Sequence, residues 1–317
     1  MKLYYMSMPA IGLITVAIIL STNLAGQKYS EHPMANEKPT TMTGLSPEST
    51  YLIVRTDDIG MSHSVNMGIE KLVKTGIPLS TSIMFVCPWY REAVEVLKNH
   101  PQVSVGVHLT LNSEWKNYRW GPVAGAGTVP SLVDADGYFF HSAEELWNNH
   151  PKMSEIETEL RAQIERAIHS GLKIDYLDYH MGTVTEKPEV MAIVEKLAHQ
   201  YHLGLAQYFG EMYHSSQYRA AVDHKLDSLV TTVKELKPGF NVIVAHVGLD
   251  NPELHSMIDM NDEGGLSNMA ENRQAVLNAL LSYRFQDAIK ENDIKLINYG
   301  ELIKMKGLKS MKKPDEF

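Results

Sequence analysis

The stretch "YLIVRTDDIG", residues 51–60, begins as a buried strand and ends on two adjacent carboxylates, Asp57 and Asp58. Four apolar or aromatic residues lead into Arg55 and Thr56, and Gly60 follows. Neighbouring side chains on a strand point to opposite faces. If both acids serve one site, the strand must give way to a loop at this pair.

Outward from this stretch, short apolar runs alternate with helical patterns. The strand candidates are "YLIVRT", "STSIMFV", "VSVGVHLTL", "IDYLDYH", "LGLAQY", "NVIVAHV" and "IKLINY". Between them lie "SVNMGIEKLVKTG", "WYREAVEVLKNHP", "MSEIETELRAQIERAIHSG", "KPEVMAIVEKLAHQYH", "HKLDSLVTTVKELKPG" and "AVLNALLSYRFQDAIKEND". Several of these helices end in Gly or Asn near a cation, a normal stop signal. Strict alternation of strand and helix implies a parallel sheet. The expected fold is α/β, an irregular (β/α) barrel of about seven parallel strands. Residues 112–150 follow neither period and contain "GPVAGAGTVPSLVDADGYF". They are too long for an ordinary connector and read as a functional loop or lid.

The chain has 317 residues, a net charge of -9 and one cysteine, Cys87. No dense Lys/Arg run occurs before the extreme C-terminus, which argues against a nucleic-acid partner. A lone cysteine allows neither an intrachain disulfide nor a cysteine zinc site, and Cys87, after "TSIMFV", reads as a small buried apolar residue. The N-terminus carries Lys2, an apolar core at Ala10–Leu20 and then small and polar residues. That is the layout of a secretory signal. No charge interrupts the span between Lys2 and Lys28, so a retained membrane anchor also fits. The expected organisation is a signal or anchor at 1–26, a polar linker at 27–49, a catalytic domain at 50–305 and a polar tail at 306–317. The expected location is outside the cytoplasm, periplasmic or extracellular, and a homodimer is compatible with the composition.

In parallel α/β folds the active site forms at the C-terminal ends of the strands. "YLIVRT" ends on Asp57 and Asp58, "VSVGVHLTL" carries His108, "IDYLDYH" carries Asp178 and His180, and "NVIVAHV" carries His246. Each has a plainer reading by itself. Two acids before a helix are often a cap and its neighbour, and a single strand-end histidine is often only a surface group. Together they place ligand-type residues from four strands on one rim. One Asp and two His make an open metal site with room for water. A second Asp is then free as a general base, and a His opposite can protonate a leaving amine. The pattern reads as metal-assisted hydrolysis of an amide or ester. No cysteine nucleophile, G-x-S-x-G elbow or phosphate-cradling glycine loop competes with it.

"RTDDIGMSHSVNMGI" resembles the opening motif of the YdjC-like, or ChbG-type, carbohydrate deacetylases. "VGVHLTL", "VPSLVDADGYF", "IDYLDYHMG" and "VIVAHVG" resemble that family's later motifs in the same order, over about residues 50–303. The resemblance implies a distorted barrel that removes N-acetyl groups from amino sugars or short oligosaccharides. It implies metal ligands at Asp58, His108 and His180, a general base at Asp57 and an acid at His246. It implies one divalent ion, Mg²⁺ by family habit, whereas the ligand chemistry suits Zn²⁺ or another transition metal. Three positions depart from the pattern. Ile59 replaces a usual Phe, Gly182 replaces a second His, and Val247 replaces a Pro beside His246.

Around this set, Asp178 is a candidate to orient a metal-bound histidine, or a strand-end surface acid. His63 reads as a helix-surface residue and Asn66 as a brace for the first loop. Trp115, Tyr118 and Trp120 suit stacking on sugar rings or simple burial, and Trp115 and Trp120 are the candidate substrate contacts. Arg273 begins the last long helical region, and its charge is not assigned to the site. Two other functions share these features: an esterase or amidase on the same scaffold, and a non-catalytic carbohydrate binder. A pure binder has no use for a free carboxylate beside a metal.

Overall fold

The computed structural model describes residues 48–261 and 268–314. The expected signal or anchor, and all but the end of the expected linker, lie outside the described residues. The strands are β1 (Thr50–Ile59), β2 (Ser80–Ile83), β3 (Ser104–Leu109), β4 (Ile174–Tyr179), β5 (Gly204–Leu205), β6 (Met212–His214), β7 (Gly239–Ala245) and β8 (Lys295–Ile297). The helices are α1 (His63–Val73), α2 (Tyr90–Lys98), α3 (Ala143–Asn148), α4 (Met153–His169), α5 (Pro188–Tyr201), α6 (Ser216–Arg219), α7 (Lys225–Glu235), α8 (Pro252–His255), α9 (Met269–Leu281), α10 (Tyr283–Glu291) and α11 (Tyr299–Lys306). Among the described residues no helix is long and apolar enough to cross a membrane.

All pairings between these strands are parallel, in the order β5-β4-β3-β2-β1-β7-β6. The short β8 pairs with the start of β1, at Tyr51–Ile53, beyond the stretch that meets β2. No ladder joins β5 to β6 among the described residues, so the sheet curls as an incomplete barrel. All seven expected strands are present. The eighth, β6, has three residues and no apolar run. The last expected helix is two, because Ser282 has ψ 146° and caps α10 by accepting from the Phe285 N–H.

Strand β1 is buried along nearly its whole length and supplies both layers of the core. Leu52 and Val54 join the large cluster that also packs helix residues such as Val65, Leu97, Leu160 and Leu277. Tyr51 and Ile53 face the other way and join Tyr176, Phe209, Val242, Ile297, Tyr299 and Leu302. This alternation sends Arg55 and Asp57 to the same side as Tyr51 and Ile53.

Helix α1 starts where the Ser62 hydroxyl accepts from the Val65 N–H, and it buries Val65, Ile69, Leu72 and Val73 on one face. The Glu253 carboxylate accepts from the N–H groups of His63 and Ser64, the end of the helix that favours an anion. Close packing continues at Gly68, where an added Cβ would stand 2.8 Å from the Gly248 Cα. Gly68→Ala is therefore expected to destabilise the fold by about 1–3 kcal/mol, as overpacking does. Gly127→Ala meets no atom within 4 Å and should leave the urea midpoint nearly unchanged. Equal midpoints for the two variants would show that α1 does not depend on this contact.

Candidate active site

The adjacent acids are accommodated by a bulge. On β1, Arg55 and Thr56 pair with Ser80 and Thr81, but Ile59 pairs with Ile83, so β1 carries one residue more than β2 across this interval. Asp58 takes up the kink with a left-handed φ of 69°. Beyond it the Asn66 side chain accepts from the Gly60 N–H at 2.7 Å and donates to the Trp89 carbonyl and the Glu92 carboxylate. Asn66 thus braces the first loop. His63 is exposed and bonds Glu92.

Asp57, Asp58, His108, Asp178 and His180 are all buried in one cluster. Asp58 Oδ1 lies 3.4 Å from His108 Nε2 and 3.4 Å from His180 Nδ1, yet it makes no hydrogen bond. Its other oxygen accepts from Arg273 at 2.6 Å. Two ligands about 2.1 Å from one ion, at a near-tetrahedral angle, stand about 3.4 Å apart. An orphaned carboxylate oxygen facing two imidazole nitrogens at that spacing fits a divalent metal. The neighbouring trio Asp57, His108 and Asp178 is also close enough to share an ion, but its oxygens are already engaged. Arg55 holds both Asp57 oxygens at 2.8 Å, while Asp178 accepts from Ser82 and bonds His108. Asp58, His108 and His180 are the set with coordination capacity to spare.

Each histidine is held from behind. His108 Nδ1 bonds Asp178 at 2.9 Å, which leaves Nε2 toward Asp58. His180 Nε2 bonds Glu114 at 2.9 Å, which leaves Nδ1 toward Asp58. Carboxylates behind metal-binding imidazoles fix ring orientation and tautomer. Burial opposes charge on His108, but Asp178 and Asp57 outweigh it and raise its pKa to about 10. Burial likewise opposes charge on His180, and Glu114 and Asp58 outweigh it to about 9. Burial also works against the Asp58 anion, but Arg273 and the two imidazoles hold its carboxyl well below the usual range.

His246 follows β7 and stands where the charges of Asp58 and Arg273 reach it. Burial lowers its pKa, its Nδ1 has no partner, and its ring meets Tyr218 edge-on at 5.3 Å. Trp115 and Trp120 are 1% and 3% exposed, so they pack rather than present a face to solvent. The Trp120 indole donates to the Asn112 carbonyl and its ring lies 6.0 Å from His180. Tyr118 donates to the Met61 carbonyl. The long loop therefore reaches His180 through Glu114 and Trp120. Cys87 is buried in the core and burial pushes its thiol up.

The family model of YdjC-like proteins matches residues 51–291. The chain belongs to the YdjC-like family. Among curated relatives, a carbohydrate deacetylase of Brevibacillus brevis is 38% identical over 152 residues, 48% of this chain and 57% of that protein. A carbohydrate deacetylase of Vibrio cholerae is 27% identical over 262 residues, 80% of this chain and 96% of that protein. The match thus spans little more than half the length of the Brevibacillus relative. A solved structure from Enterococcus faecalis, named as a candidate cellobiose-phosphate cleavage protein, shares the fold with a TM-score of 0.66 at 23% identity, over 80% of this chain and 99% of that one.

Three contributors to this YdjC-like site had weak sequence signals. Arg55 lies two residues before Asp57, hence on the same strand face, and a buried arginine needs an anion. That signal was available. Glu114 and Arg273 reach the site from a loop and from a helix far along the chain, with no period to mark them.

Metal binding provides the test. One divalent ion per chain is expected, with His108→Ala and His180→Ala abolishing tight binding and Asp178→Asn or Glu114→Gln weakening it about 10–100-fold. Without metal both imidazoles hold a proton at pH 7, and a ligand must give it up. Apparent affinity should therefore rise with pH toward about 9–10, with protons released on binding. Calorimetry in buffers of different ionisation enthalpy measures that release. Affinity independent of pH between 6 and 9 would rule these two histidines out as ligands.

Proposed function

We propose that this protein is a metal-dependent hydrolase that removes N-acetyl groups from an amino sugar or short oligosaccharide. The carrying observation is the unpartnered Asp58 oxygen facing His108 and His180, with a second carboxylate, Asp57, on the adjacent residue. The names of the relatives supply the acyl group and the carbohydrate. The Asp and two His donors suit Zn²⁺ or another transition metal better than Mg²⁺. The secretory-signal layout of the N-terminal sequence supports a location outside the cytoplasm, where the enzyme would act on external or wall-derived sugars.

Asp58, His108 and His180 would hold the ion. When bound, it polarises the acetyl carbonyl and makes water a better nucleophile. Asp57 accepts the proton of the attacking water, held in place by the two-pronged Arg55 contact. His246, across the site, delivers a proton to the departing amine. The C–N bond breaks, and acetate and a free amino sugar leave. Asp178 and Glu114 keep the imidazoles aimed, and Arg273 keeps Asp58 ionised.

Acetate release from N-acetylated mono- and oligosaccharides, with Zn²⁺, Mg²⁺, Mn²⁺ or Co²⁺ returned to metal-stripped protein, tests this reading. Asp57→Asn should retain metal and lose about 10²–10⁴-fold in kcat, the usual contribution of a general base. Acetate from O-acetyl but not N-acetyl substrates would identify an esterase instead. Sugar binding unchanged by Asp57→Asn, with no turnover by the parent protein, would identify a carbohydrate binder.

A further inference from the structure

Asp57, the base of the proposed reaction, is held by Arg55, and Arg55 is itself held. Each guanidinium nitrogen has a partner. Nε and Nη2 donate to the two oxygens of Asp57 at 2.8 Å each, and Nη1 donates to the Tyr213 hydroxyl at 2.9 Å. Nε also stands 3.1 Å from Asp178 Oδ2, and Asp178 is the acid that bonds His108. One planar fork therefore spans the base and the group that aims a candidate metal ligand. Arg55, Asp57 and Asp178 are all buried.

The far side of the fork is built as closely as the near side. The Tyr213 hydroxyl pairs with the Tyr299 hydroxyl at 2.8 Å. The Tyr299 ring stacks on the Tyr176 ring with centroids 4.4 Å apart. The Ser82 hydroxyl donates to Asp178 at 2.7 Å and pairs with the Tyr176 hydroxyl at 2.8 Å. The contacts close a ring, from Asp178 through Ser82, Tyr176, Tyr299 and Tyr213 to Arg55 and back. Its members come from β1, β2, β4, β6 and the first turn of α11. The short β6 has no apolar run, but its pairing of Tyr213 with Val242 of β7 sets a hydroxyl against Arg55. Tyr176 and Tyr299 otherwise sit in an apolar cluster. If the tyrosines only filled that space, phenylalanines would serve, since replacing both partners of a buried hydroxyl pair costs little. The guanidinium gives the hydroxyls a use.

We propose that Tyr213, backed by Tyr299, is a positioning residue for Asp57: it pins the Arg55 guanidinium, and through it the carboxylate that takes the proton of the attacking water. The inference rests on Asp57 being the base of the preceding reading. The two bonds between Arg55 and Asp57 fix the pair relative to each other, but they let both side chains rock together. The bond at the remaining nitrogen ties the pair to β6 and, through Tyr299, to α11. A reacting group displaced by about 1 Å can cost about 10²-fold in rate, so a contact that stops this rocking acts on the chemical step and not on metal or substrate binding.

Tyr213→Phe keeps the ring and removes the hydroxyl. Acetate release by the full metal-loaded protein should fall about tenfold in kcat, with KM and metal content unchanged. Tyr299→Phe should lower kcat in the same direction by less. In an Arg55→Lys background, Tyr213→Phe should change kcat by less than about twofold, because it acts only through the guanidinium; independent structural losses would add instead. The rocking itself is read without substrate. In ¹⁵N relaxation of labelled arginine, the Arg55 Nε–H should show the order parameter of a rigid group, about 0.85, in the parent protein and a lower one in Tyr213→Phe. An unchanged order parameter, a kcat within about twofold of the parent, or the same tenfold loss in the Arg55→Lys background overturns the proposal. Should Arg55→Lys fail to fold, the order parameter decides. If Arg55 loosens as expected while no substrate releases acetate, the reaction assignment fails and the pinning of Arg55 by Tyr213 stands.

Discussion

The site depends on how one strand ends. In a regular strand Asp57 and Asp58 would point to opposite sides of the sheet. The extra residue in β1 against β2, and the left-handed backbone of Asp58, bring both to the same rim. A non-glycine residue in that region costs on the order of 1 kcal/mol, and Asp is among the residues that tolerate it best. The surroundings hold it there. The Met61 N–H donates to the Asp58 carbonyl, the Met84 N–H donates to the Ile59 carbonyl, and Arg273 grips the side chain. The in-register pairing of β1 with β7 runs through Thr56↔Ala245, so the distortion begins only where the acids do.

Charge balance explains why such a cluster tolerates burial. Asp57, Asp58, Asp178 and Glu114 are all nearly inaccessible. Four carboxylates face two guanidinium groups, Arg55 and Arg273, and two imidazoles whose pKa values are raised to about 10 and 9. Without metal at neutral pH, two protons on the imidazoles complete the balance. A divalent ion carries the same two charges, so exchanging the protons for the metal leaves the cluster neutral in both forms. Unpaired buried charge is the costly case, and this arrangement avoids it whichever form is present.

Much of this was legible from sequence because parallel strands buried on both faces read as apolar runs and their ends carry the chemistry. Seven strands and the five clustered acid and histidine residues follow from that rule. Strand β6 was not legible, because three residues at a sheet edge make no run. The break at Ser282 was hidden inside a helical pattern that continues on both sides of it. Arg273 meets Asp58 across 215 positions, a contact no local signal encodes. Trp115 and Trp120 show a different limit. An aromatic residue in a loop looks the same whether it anchors the loop or stacks on a sugar, and here both are buried. The loop reaches the site through Glu114, which bonds His180, and through Trp120, whose ring lies 6.0 Å from His180.

The two sides of the site are built differently, and the chemistry accounts for it. Each of the proposed metal ligands lies at or just after a strand end and is backed by a fixed partner: Arg273 behind Asp58, Asp178 behind His108, Glu114 behind His180. Those groups need one geometry and one protonation state for as long as an ion is held. His246 sits beyond β7, beside the four-residue α6 and against α9, with no carboxylate or carbonyl bonded to its inner nitrogen. As the acid proposed for the reaction, His246 would be hindered by a partner that prefers one protonation state. Arg273 touches both sides: it holds Asp58 through Nη2 and lines the same pocket as His246.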